Sequence, residues 1–132
     1  MTILVDASAL VAIMTLEQDS DALIDTLDQH DRKLYCALGA WEAILAIARI
    51  RVVDIVEAGD AIHQWFEDLD FQLVPIGKAE ERLAVEAHRL YGKGTGHPAR
   101  LNMGDCFAYA CAKANNARLL YKGDDFSHTD LA

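Results

Sequence analysis

The sequence predicts an α/β domain with a mainly parallel central sheet. Short apolar runs rich in β-prone residues alternate with longer segments of helical character, and parallel strands need such helical crossovers between them. No internal repeat, linker or low-complexity segment interrupts the alternation over the 132 residues, a length that suits one domain spanning 1–132.

Thr2–Val5 is a short apolar run closed by Asp6, which predicts a buried strand with Asp6 at its carboxyl end. Helical segments follow from about Ser8 to Leu16 and from Asp19 to Gln29, with Ser8 and Asp19 as candidate N-caps. Lys33–Cys36 is a second strand candidate. Ala40–Arg51, rich in Ala, Ile and Leu without an internal breaker, predicts a helix. Between Ile55 and Leu69 the residues Ile55, Ile62, Trp65, Phe66 and Leu69 share one helical stripe. Phe71–Pro75 reads as a third strand, and Lys78–Tyr91 as a helix with Leu83, Ala87, Leu90 and Tyr91 on its apolar face. Gly92–Pro98 is the one clear loop. A helix over Met103–Ala114, a fourth strand at Arg118–Tyr121 and a turn at Gly123–Phe126 complete the chain.

Composition narrows the class. Hydrophobic residues make up 52% and charged residues 25%, as in a soluble globular protein. Cys36, Cys106 and Cys111 are odd in number and contain no C-x-x-C, so neither a disulfide framework nor a zinc site is indicated; buried reduced thiols are expected. The apolar start Met1–Val5 has no basic flank and is cut short by Asp6, unlike an export signal. No apolar stretch reaches the roughly 20 residues that span a bilayer. A cytoplasmic location is expected. The net charge of −9, from 12 basic and 21 acidic residues, counts against a nucleic-acid ligand. Carboxylates gathered around a cation, however, add to that count while forming a locally positive site once the cation binds.

Four acidic positions lie against apolar elements rather than in open charge runs: Asp6 after the first strand, Glu42 near the start of the Ala-rich helix, Asp105 in the first turn of the Met103–Ala114 helix, and Asp124, beside Asp125, after the last strand. In open parallel sheets ligands bind beyond the carboxyl ends of the strands, where Asp6 and Asp124 fall. Carboxylates brought together raise one another's pKa unless a cation relieves them. Mg²⁺ or Mn²⁺, which take oxygen ligands, would relieve them and assist hydrolysis of a phosphodiester. Each residue also has a plainer use. Asp6 suits a helix cap, and Asn102-x-x-Asp105 suits a capping box. Glu42 suits the positive end of its helix, and Asp124-Asp125 suits a turn.

Taken together, Ile3–Leu10, Ala40–Ala43, Leu101–Ala110 and Leu119–Asp130 resemble, in order, the four motifs of the PIN domain, specifically the VapC-type toxins of bacterial toxin–antitoxin pairs. The resemblance runs from residue 3 to residue 130. It implies a three-layer α/β/α fold with a mainly parallel sheet of four or five short strands. It further implies a metal-dependent endoribonuclease in which Asp6, Glu42, Asp105 and Asp124 hold one or two Mg²⁺ or Mn²⁺ ions, with Ser8 orienting the first carboxylate or a water. Family members often separate the fourth acid from the Asp-Phe pair. Here Asp124 and Asp125 adjoin, so Asp124 is favoured and Asp125 is its alternative. The resemblance also implies an RNA substrate, a VapB-like antitoxin that masks the acidic pocket, and a homodimer, for which the apolar faces of the early helices are candidate surfaces.

An RNA path needs cations near the acids. Arg49 lies seven residues after Glu42, on the same helical face and about 10 Å further along. Lys93, His97 and Arg100 lie in or beside the Gly-rich loop, and Lys122 precedes Asp124. Arg49, Lys93, Arg100 and Lys122 are the candidates for phosphate contacts; His97 reads better as a loop residue than as a general base. Arg82, Glu86, Arg89 and Lys93 also read as ordinary helix-face charge pairs. Trp41, Trp65 and Tyr109 sit at core spacing, so packing is expected of them rather than base stacking. Two other classes compete. In a receiver-like or haloacid-dehalogenase-like phosphotransfer domain, Glu42 and the Asp105 motif would have no role, and Asp6-Ala7-Ser8 lacks the second Asp of the dehalogenase pattern. A PIN-like scaffold that only binds a partner would not need all four acids.

Overall fold

A computed structural model describes every residue from Met1 to Ala132. Its elements in chain order are β1 (Thr2–Val5), α1 (Ala7–Met14), α2 (Ser20–Asp28), β2 (Arg32–Cys36), α3 (Ala37–Arg51), α4 (Ile55–Asp68), β3 (Gln72–Val74), α5 (Lys78–Tyr91), α6 (Met103–Ala114) and β4 (Arg118–Leu120). The strands form one parallel sheet in the order β3-β2-β1-β4. The expected α/β architecture is therefore present, with four strands.

Period-2 alternation divides the core between the two faces of the sheet. Ile3 and Val5 point to one face, where α1, α2, α3 and α4 supply Leu10, Leu27, Ile47, Ile62 and Phe66. Leu4, Leu34 and Leu119 point to the other, where α5 and α6 supply Ala87, Cys111 and Ala112. The chain steps from β1 to β2 to β3 in one direction, then returns across the sheet to β4. Right-handed crossovers put the helices of the outward steps on one face and those of the return on the other, giving three layers. The reversal falls between β1 and β4, so a crevice opens at their carboxyl ends. Asp6 follows β1 there and bonds its backbone N–H to the Leu120 carbonyl at 2.9 Å.

Several boundaries differ from expectation for identifiable reasons. The N-cap of α1 is Asp6, not Ser8; the Ser8 N–H is a donor to that cap. Asp19 occupies the N-cap position of α2 but accepts no capping bond. Helix α3 begins at Ala37, three residues before the expected Ala40, from a Cys36 cap that makes no side-chain bond. Trp41 is consequently not in the core: α3 buries Gly39, Ala40, Ala43 and Ile47, and Trp41, off that stripe, is 57% exposed. Ile55 and Leu90 are likewise exposed, whereas Tyr109 is buried. All three cysteines are buried and unpaired, as expected, and no helix is long and apolar enough to cross a membrane.

After β4 the chain folds back as a short terminal segment pinned by Phe126, which is 1% exposed. Asp130 adds polar anchors, accepting from the Tyr109 hydroxyl at 2.8 Å and pairing with Lys113. Phe126→Ala should lower stability by about 3–5 kcal/mol, the usual cost of emptying a buried aromatic site. Urea unfolding of the two proteins measures it, and a loss under 1 kcal/mol would show that the segment is not held by this side chain.

Candidate functional site

The acidic residues are positioned by helix starts. Asp6 caps α1, its Oδ2 accepting from the Ser8 N–H at 3.0 Å and from Ser8 Oγ at 2.6 Å. Ser8 Oγ in turn accepts from the Lys122 N–H at 3.0 Å, which ties the segment after β4 to the first carboxylate. Asp105 sits at the third position of α6 in a complete capping box: its N–H donates to Asn102 Oδ1 at 2.9 Å, and its Oδ2 accepts from the Asn102 N–H at 3.1 Å. In both residues one oxygen serves the backbone, while Oδ1 takes no bond from the protein. The plain reading of each as a cap and the reading as a site acid are thus compatible.

Glu42 is half-buried on α3 and packs over the backbone of Gly104, the second residue of α6. A Cβ added at Gly104 would collide with the Glu42 carboxylate, so this glycine is what allows the two helices to bring Glu42 toward Asp105. Asp124 and Asp125 are exposed in the turn after β4, and both line a polar cavity of about 390 Å³ together with Asp105, Asn102, Lys93, Arg100 and His128.

The acids share an electrostatic neighbourhood. Burial pushes Asp105 up to about 7, only partly offset by the bond from Asn102, and the charges of Asp125, Asp6 and Glu42 push in the same direction. Burial also raises Asp6 against its bonds from Ser8, with a contribution from Asp125. Glu42 is raised by burial and then by Asp6. Of the two adjacent aspartates, then, it is Asp125 whose charge bears on both Asp6 and Asp105. The carboxylates share this field without closing into a three-ligand metal group. The donor set is nonetheless all oxygen, with a free oxygen on each of the two buried aspartates, which fits a hard divalent cation that keeps several of its waters.

The cations fall into distinct places. Lys93 and Arg100 line the polar cavity, where His128, which the sequence did not single out, joins them. No ion pair engages any of the three. Only the position of His128 close after the Asp124-Asp125 turn could have drawn attention to it. Lys122 is held by Glu17 at 2.9 Å and Asp19 at 3.3 Å, so its ammonium braces the start of α2 instead of facing a phosphate. Arg49 is exposed on α3 outside the cavity. His97 is a loop residue, its Nδ1 accepting from the Ala99 N–H at 3.0 Å.

A stability consequence follows. Asp105 titrates higher in the fold than in the unfolded chain, so the folded state binds its proton more tightly. Without a divalent ion, the stability that Asp105 contributes is fully present below the ordinary carboxylate range and is lost as pH rises toward and through about 7. Asp105→Asn, which keeps the capping oxygen, should raise stability at pH 8 in chelator by about 1–3 kcal/mol and flatten the profile between pH 4 and 8. Thermal melts over that pH range decide it, and a variant less stable than the parent at pH 8 would contradict the account.

The PIN domain family model matches residues 3–131. A VapC ribonuclease of Rhizobium meliloti (strain 1021) is 39% identical over 138 residues, covering 96% of this chain and 97% of its own. Ribonuclease VapC42 of Mycobacterium tuberculosis (strain ATCC 25618 / H37Rv) is 37% identical over 128 residues, covering 97% and 95%. Ribonuclease VapC28 of the same strain is also 37% identical over 128 residues, covering 97% and 94%. With a family match over nearly its whole length and relatives 37% to 39% identical along nearly all of it, the chain belongs to the PIN domain family.

Proposed function

We propose that this protein is a metal-dependent endoribonuclease, the toxin of a type II toxin–antitoxin pair. The observation that carries this reading is the double use of Asp6 and Asp105: each fixes its own helix start with one oxygen and leaves the other unbonded in a shared acidic field. The VapC ribonucleases to which the chain is similar direct the reading to RNA. Asp6, Glu42 and Asp105 would hold Mg²⁺ or Mn²⁺, and we assign the fourth place to Asp125 in preference to Asp124, because its charge is the one felt by Asp6 and Asp105. When bound, the ion supplies the positive charge that activates water and neutralises charge developing on the phosphodiester.

The chain's own residues do the rest. Ser8 fixes the rotamer of Asp6 through its hydroxyl and N–H. Gly104 leaves room for the Glu42 carboxylate. Lys93, Arg100 and His128 border the cavity on the Asp105 side and are placed to hold phosphates of the strand being cut. Lys93 and Arg100 provide local positive charge on a chain of net charge −9. A VapB-like antitoxin and a second copy of the chain are the partners this reading brings with it.

The purified chain should cleave single-stranded RNA with Mg²⁺ or Mn²⁺ and fall silent in chelator. Asp6→Asn and Asp105→Asn should each abolish cleavage and growth inhibition while retaining the fold by circular dichroism. Full activity in either would remove the metal assignment. Asp125→Asn should cost more activity than Asp124→Asn, and the reverse order would return the fourth place to Asp124. Gly104→Ala is the most selective variant. The colliding atoms are the tip of a flexible side chain, so the fold should survive while the Glu42 carboxylate is displaced; displacements of about 1 Å can cost roughly a hundredfold in rate. Cleavage kinetics beside a melting curve check this, and an active variant would release Glu42 from its assigned place.

A further inference from the structure

Trp41 is a large aromatic side chain, 57% exposed, at the position directly before Glu42. It lines a second cavity of about 250 Å³ with Tyr35, Ala37, Ala40, Ile44, His63 and Leu73. Six of these seven residues are hydrophobic. The Tyr35 ring stacks on Phe66 at a centroid distance of 3.8 Å, so its flat body is fixed, and His63 is the polar residue of the lining. On α3, Trp41 and Glu42 are about 100° apart, with Cα atoms about 3.8 Å apart. Trp41 thus stands directly beside Glu42 along α3, on a different side of the helix.

We propose that this cavity receives a base of the RNA, stacked on Trp41, from a nucleotide next to the scissile phosphate. The proposal rests on the ribonuclease reading above and adds a binding residue to it. Single-stranded RNA is recognised by stacking unpaired bases on aromatic side chains and by hydrogen bonds to their edges. A small, mostly apolar cavity with a half-exposed indole and one polar residue matches one flat heterocycle better than a long helix. Trp41 adjoins Glu42 along α3, which ties the occupant to the molecule being cut. Phosphate contacts from Lys93, Arg100 and His128 read no base, so this cavity is also where sequence preference would arise.

The test uses the full chain with Asp105→Asn, to keep RNA intact, and Trp65→Phe, so that Trp41 is the only tryptophan. A short fluorescein-labelled single-stranded RNA supplies an independent binding signal by anisotropy, and an unlabelled copy of that RNA serves for the emission measurement. Trp41 emission should be quenched saturably over the range in which anisotropy rises. Trp41→Ala should weaken binding by about 5- to 100-fold, the range expected for one lost stack. Trp41→Phe should recover most of the loss, and Trp41→Leu, which keeps apolar bulk without an aromatic face, should not. In the otherwise unsubstituted enzyme, Trp41→Ala should raise KM more than it lowers kcat. Normal RNA binding with no quenching and no effect of Trp41→Ala would overturn the proposal and leave the ribonuclease reading intact. Quenching by a cognate antitoxin but not by RNA would also overturn it, giving the cavity to a protein side chain. If the unsubstituted chain neither binds nor cuts RNA, the ribonuclease reading fails, and the proposal with it.

Discussion

The site depends on one arrangement: carboxylates that would repel one another are each fastened to the start of a helix. A helix N-terminus presents unbonded N–H groups and the positive end of the peptide dipoles, and it stabilises a nearby negative charge. Asp6 and Asp105 occupy the cap and third positions of α1 and α6, where those N–H groups are within reach of Oδ2. The bonds fix each carboxylate in one rotamer, so its second oxygen is aimed without using further side chains. Ser8 extends the same logic across the sheet, since it bonds Asp6 with its hydroxyl hydrogen and accepts the Lys122 N–H on its oxygen. One short network thereby joins the ends of β1 and β4, the two strands that flank the crevice.

This dual use explains how far the sequence could be read. Lys78–Tyr91 and Met103–Ala114 have the predicted bounds because strong local signals frame them: Pro75 and Gly77 before α5, Gly92 after it, and Asn102 as a bonded cap of α6. The start of α3 has no such signal. Cys36 offers no capping oxygen, and Gly39 reads as a poor helix former although the close packing of α3 keeps it buried in the helix. Trp41 was misplaced for the same reason: a large apolar residue beside Ala40 looks like core until the phase of the helix is known. The rival readings of Asp6 and Asp105 could not be separated because a cap and a site acid are written with the same residue at the same position.

What escaped the sequence entirely is long-range pairing. Lys122 stands beside the acids in the chain and looks free, yet Glu17 and Asp19, more than 100 residues earlier, take its ammonium. That pairing fastens the loop between α1 and α2 to the segment after β4. His128 shows the converse. Its place soon after the Asp124-Asp125 turn is the one hint in the sequence, and the returning terminal segment carries it into the cavity lining with Lys93 and Arg100. The net charge of −9 hid the presence of Lys93 and Arg100 in this lining, because a sum over 132 residues says nothing about one cavity.

The terminal segment bears the cost of the acidic crowding. Asp125 adds to the raised pKa of both Asp6 and Asp105, behind burial, so the turn brings like charge to like charge. The segment is too short to resist through regular structure of its own. It is retained from behind: Phe126 fills the core beside Tyr121, at 5.2 Å between ring centroids, and Asp130 is gripped by Tyr109 and Lys113 of α6. Lys113 also lies 5.6 Å from the Tyr109 ring centroid, which neutralises Asp130 without exposing the tyrosine hydroxyl to an isolated charge. Helix α6 thus carries Asp105 in its first turn and the anchor for Asp125 in its last two. A single rigid element thereby carries Asp105 and holds the terminal segment that brings Asp125 to the same cavity.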